Sequence, residues 1–159
     1  MRADHVRLLP DPEQRTLLAA TLERVNRASN VARAAGLERQ VFAGPELREL
    51  VKAAVEQHKL PAGFVTPIAQ RVEAMLRRRA GKQAKFTTYQ SLTLPPTAHK
   101  WASTDRVALP TSAGRRTIPV RVDPSRGDLQ PPLEGRPVAL VYRNGEFELL
   151  AADVEHDDD

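Results

Sequence analysis

The chain has 159 residues, with 24 Lys/Arg against 20 Asp/Glu, 13 prolines, no cysteine, and only one Trp, two Tyr and four Phe. Its length suits one domain of ordinary size, or two small modules sharing a core, and that core must be largely aliphatic; the lack of cysteine excludes disulfides, thiolate metal sites and a cysteine nucleophile. No run approaches the roughly 18 uncharged apolar residues of a membrane span, and Arg2, Asp4, His5 and Arg7 interrupt any signal-peptide apolar region, so the sequence predicts a soluble, cytoplasmic protein with no membrane partner.

His5–Leu9 alternates, with Val6 and Leu8 on one side, and reads as a first strand. Asp11-Pro12-Glu13-Gln14 then supplies an N-cap aspartate, a proline at the first helical position and a glutamine three residues after the cap. Leu18, Leu22, Val25 and Ser29 follow on one helical face, and Gly36 is expected to end that helix. A second helix opens near Gly44-Pro45 and carries Leu47, Leu50, Val51, Ala54 and Val55. A third opens at Thr66-Pro67 and carries Ile68, Val72, Met75 and Leu76. Three such amphipathic helices bury one another.

After Lys85 the period becomes two. Phe86–Tyr89, Ser91–Leu94, Arg106–Leu109 and Thr117–Val122 read as short strands between proline- and glycine-rich breaks. Pro110 and Pro119 place two of them at an edge or a bulge. Val138–Arg143, Asn144-Gly145 and Glu146–Ala151 form a hairpin, because Asn-Gly takes the positive φ that a two-residue turn requires at both positions. That register sets Tyr142 opposite Phe147, Leu140 opposite Leu149, Val138 opposite Ala151 and Arg143 opposite Glu146. The expected fold class is α+β: a first strand over 1–10, a three-helix insertion over 11–84, a small antiparallel β-barrel over 85–152 and an acidic disordered tail over 153–159.

Charge is uneven along this layout. Residues 61–122 hold 11 Lys/Arg against 2 Asp/Glu, whereas residues 123–159 hold 3 against 10. A basic block of this kind marks a polyanion-binding surface, with a merely solvated basic face as the alternative. Arg71, Arg78 and Lys82 are expected along one side of the third helix, flanked by Arg77 and Arg79, and Lys85, Lys100, Arg106, Arg115 and Arg116 extend the strip over the strands. Arginine dominates, which suits bidentate phosphate contacts. Tyr89 and Trp101 sit among these cations as candidates for stacking on bases, Trp101 reading equally well as a core residue. Asn26 and Asn30, one turn apart, can meet base edges or be exposed helix polars. The four histidines fall in separate elements without metal-ligand spacing, and there is no glycine-rich phosphate loop or Gly-x-Ser-x-Gly nucleophile motif. His58 is read as a partner of its helix C-terminus and His99 as a loop residue. The residues predict no catalytic site, no metal and no cofactor.

Several segments in order resemble the opening of TnpB-type transposon-encoded RNA-guided nucleases, relatives of the compact type V CRISPR effectors. They are Val6–Gln14; Leu60–Arg79 leading into Lys82–Phe86; Leu92–Trp101; Asp105–Leu109; Gly114–Val120; and Ala139–Phe147. The resemblance implies a wedge barrel of OB-like kind with a helical recognition insertion, gripping guide-type RNA and the guide–target duplex, so that RNA, and DNA beside it, are the expected partners and the nucleoid an expected location. It also implies that cleavage belongs to a RuvC-like domain with three carboxylates and an inserted zinc ribbon, for which residues 151–159 provide no counterpart. The chain is therefore expected to be a non-catalytic binding lobe. The alternatives are an interaction subunit of a split nuclease, paired with a separate RuvC-like chain, and a degenerate transposon remnant.

Overall fold

The computed structural model describes residues 5–78, 85–121, 131 and 133–152. These described residues form an α+β structure of three α-helices and seven strands, the strands antiparallel and arranged in two sheets. The chain divides into two compact units. One contains the described residues of Met1–Thr16, Ser91–Pro110 and Arg115–Asp159; the other is Leu17–Gln90 with Thr111–Gly114.

The helical unit follows from capping and apolar periodicity. Helix α1 (Pro12–Arg39) starts with the reciprocal cap that its sequence announces: Gln14 N–H donates to Asp11 Oδ1 (2.7 Å) and Asp11 N–H to Gln14 Oε1 (3.1 Å). Gly36 does not end it. The helix continues to Arg39, and Gln40, at φ 57°, turns the chain left-handed so that Val41 N–H returns to Gly36 O at 2.8 Å. Gly36 is there because the returning chain lies on it: a Cβ would stand 2.8 Å from Val41 O and 3.2 Å from Leu76 Cδ1. Helix α2 (Gly44–Gln57) has proline in its first turn and ends in the same way, with Lys59 at φ 55° and Leu60 N–H returning to Val55 O. His58 sits at that terminus, its Nδ1–H donating to Ala54 O at 2.8 Å. Helix α3 (Val65–Arg77) begins one residue before Thr66, after a short 3-10 turn at Ala62–Phe64. It packs on α2, with Leu18, Leu22, Val25, Leu47, Val51, Ile68 and Val72 all excluded from solvent.

In the strand unit, β1 (His5–Arg7), β7 (Glu146–Ala151), β6 (Val138–Arg143) and β2 (Leu92–Leu94) form one sheet in that order, and β3 (Lys100–Ser103), β4 (Arg106–Thr111) and β5 (Gly114–Pro119) form the other. The β6–β7 hairpin has the expected register residue for residue, from Val138↔Ala151 to Arg143↔Glu146. Asn144 and Gly145 lie at φ 54° and 78°, and Tyr142 stacks on Phe147 with ring centroids 4.7 Å apart. Glu146 reaches past Arg143 to form its ion pair with Arg7 of β1.

Among the described residues the strands do not close into a barrel. The sheets meet at one isolated bridge, Leu8↔Val120, where Leu9 N–H donates to Pro119 O at 2.7 Å and Arg121 N–H to Arg7 O at 2.9 Å. Pro119 lacks the N–H group that would pair with Leu9 O and lengthen it. Pro110 lies in β4, the central strand of its sheet rather than an edge; β3 begins at Lys100, opposite Ala108, so no ladder bond from β3 reaches the proline. Phe86–Tyr89 is a loop and turn, not a strand, and belongs to the helical unit.

Candidate nucleic-acid interface

The expected cations divide between the two units. In the strand unit, alternation sorts side chains cleanly on β4, where Val107 and Leu109 are buried and Arg106 is exposed. On β3 Trp101 points inward and Lys100 outward; on β5 Ile118 is buried and Arg115 and Thr117 are exposed. Lys100 stands opposite Ala108, two residues along β4 from Arg106, which makes the two cations diagonal neighbours about 7–8 Å apart at the backbone. The outward face thus carries Lys100, Arg106 and Arg115 among the small side chains Ala108, Pro110 and Thr117. No carboxylate pairs with any of the three among the described residues. Asp105, in the β3–β4 turn, accepts a hydrogen bond from Ser103 Oγ at 2.6 Å. Arg116 is exposed as well, on the alternate position of β5, its Nη1 donating to Arg115 O at 3.0 Å.

In the helical unit Arg77 and Arg78 are exposed at the end of α3, and Lys85 is exposed at the start of the following loop. Arg77 is held by Glu73 one turn earlier, at 3.3 Å. Arg79 and Lys82 lie outside the described residues.

Arg71 corrects the expected strip. It does not project beside Arg78; its guanidinium turns into the unit, donating from Nη1 to Asn26 Oδ1 (2.7 Å) and Ser29 Oγ (3.4 Å) and lying 4.1 Å from the centre of the Phe86 ring. Burial lowers its pKa to about 10, so it remains a cation at neutral pH, held by an amide oxygen and an aromatic face. Asn26 and Asn30 are likewise not free for base edges. Asn30 pairs reciprocally with the Phe86 backbone, accepting its N–H (2.8 Å) and donating to its carbonyl (2.9 Å). Asn26 donates from Nδ2 to Thr88 O (3.0 Å) and Gln90 O (3.1 Å). Position could have disclosed this: Asn26 follows Leu22 by four residues and so falls on the apolar face of α1.

Trp101 is 8% exposed and points into the strand unit, so it offers no platform for a base. Tyr89 remains 43% exposed. His99 lies in a loop, as expected, but is buried there, its Nε2–H donating to Arg136 O at 2.6 Å and anchoring the segment before β6. Among the described residues no three His, Cys, Asp or Glu side chains gather to hold a metal ion, and no helix is long and apolar enough to cross a membrane. No model of a known protein family matches the chain, and no curated protein matches it.

Proposed function

We propose that this chain is a nucleic-acid-binding protein that grips the phosphates of RNA, in the manner of the wedge lobe of a TnpB-type nuclease, and that it binds without carrying out a catalytic step. The observation that carries the reading is the outward face of β3–β4–β5, where Lys100, Arg106 and Arg115 are exposed together, uncompensated among the described residues, on a surface of small side chains. Cations so placed displace condensed counterions from a phosphate backbone, and small neighbours let the backbone approach. Arg78 and Lys85 add two exposed cations on the helical unit. DNA enters this reading only as the partner strand of a guide–target duplex.

Five phosphate contacts would give a slope of log affinity against log salt of about −3.5 to −4.5, so affinity should fall on the order of a hundredfold between roughly 50 and 200 mM salt. Titration of labelled structured RNA over that range is the test. Lys100→Glu/Arg106→Glu/Arg115→Glu should reduce the slope by about two to three and leave the melting transition in place. Affinity indifferent to salt, or a folded triple variant that binds as the parent does, would refute the assignment.

A further inference from the structure

We propose that Tyr89 is a stacking platform for an unpaired base of single-stranded RNA, presented by a loop that α1 and α3 hold ready for it; the inference rests on the nucleic-acid reading above and deepens it. A surface loop is ordinarily fixed by its own turn chemistry. The loop Lys85–Gln90 is fixed from inside the unit as well. Both backbone groups of Phe86 are paired by Asn30, the carbonyls of Thr88 and Gln90 by Asn26, and Asn26 is held in turn by Arg71, which also covers the Phe86 ring. Asn26 is 1% exposed, and an amide and a guanidinium withdrawn from water destabilise a fold unless they are fully paired. Apolar side chains at 26 and 71 would join α1 to α3 without that requirement. What the polar network adds is one fixed position for this loop.

At the tip, Gln90 N–H donates to Thr87 O (3.2 Å) and Thr87 N–H to Gln90 Oε1 (3.0 Å), closing a turn with Thr88 and Tyr89 at its centre. Turn centres favour Gly, Asn, Asp and Ser; here one carries a large aromatic ring, 43% exposed. A tyrosine on an already ordered loop loses little conformational freedom on stacking. Exposed Lys85 on the same loop is available to a phosphate, and no Asp or Glu occurs in the sequence between Glu73 and Asp105 to repel one. Every unpaired base has a face to offer such a ring, whereas the bases of a continuous duplex are already stacked on one another.

Binding of labelled polyuridine and of a fully paired RNA duplex of equal length, each across a salt series, tests the proposal. Tyr89→Ala should weaken polyuridine binding about tenfold with the salt slope and duplex affinity unchanged, and Tyr89→Phe should restore it. Asn30→Ala, checked for an intact melting transition, should weaken polyuridine binding several-fold although Tyr89 is present. Equal polyuridine affinity in Tyr89→Ala and the parent, or equal losses on both RNAs, would overturn the stacking role while leaving the cationic face standing. Failure of the parent protein to bind either RNA would overturn the nucleic-acid reading and this inference together.

Discussion

At the scale of single residues, two positions behave opposite to their usual type. A glycine within a helix normally gains about 1 kcal/mol when replaced by alanine. Gly36→Ala should instead lose about 1–3 kcal/mol, because the new methyl would meet Val41 O at 2.8 Å, a backbone atom of a residue that its own N–H ties to Gly36 O. Urea denaturation gives the sign directly; a stabilised variant would mean that the cap yields. Arg71 is a cation used for its shape. Arg71→Lys keeps the charge but not the planar group that covers Phe86 while bonding Asn26 Oδ1, and should cost about 1–2 kcal/mol in the same measurement. A lysine variant as stable as the parent would reduce the site to a simple point charge. The charge of Arg71 was plain in the sequence; its direction was not, since Arg71 and Arg78, seven residues apart, share one helical face. Only the Asn26 and Phe86 partners, distant in the chain, decide that one turns inward.

At the scale of elements, legibility followed locality. The β6–β7 hairpin could be read with its register because a two-residue turn and alternation over six residues on each side fix it with no outside help. No side chain crowds Gly145, so Gly145→Ala tests conformation alone: at φ 78° it should cost about 1 kcal/mol, seen as a lower urea midpoint with unchanged m-value. Phe86–Tyr89 has strand-like composition, yet its backbone groups pair with asparagine side chains of α1 rather than a neighbouring strand. That partner choice is made more than 50 residues away and leaves no local trace. Strand β3 went unread for a different reason: it has one buried residue, Trp101, and a register shift after it, so no alternation reveals it. Among the described residues the expected barrel does not close, a property of strand lengths and of Pro119 rather than of any one strand's pattern.

For the whole molecule, the basic block of residues 61–122 is a feature of the sequence that the fold divides. Arg71 goes to the interior of the helical unit, Arg77 to its ion pair and Arg78 and Lys85 to its surface, while Lys100, Arg106, Arg115 and Arg116 belong to the strand unit. Charge asymmetry along the chain therefore does not say which of its cations are exposed, or on which unit they lie. Their contributions can be tested one residue at a time. Arg78→Glu should lower the salt slope of RNA binding by about one, and Arg77→Glu by less, since an exposed ion pair one helical turn long already engages that guanidinium. Equal effects from the two would show that Glu73 gives up its partner on binding.

Among the four rim strands β1, β2, β3 and β5, β2 and β3 are poorly suited to pairing with another copy of the chain. One is three residues long; the other is kinked by a register shift and flanked by a lysine. Neither of these two strands presents the long flat row of unsatisfied amides and carbonyls that templates intermolecular strand addition.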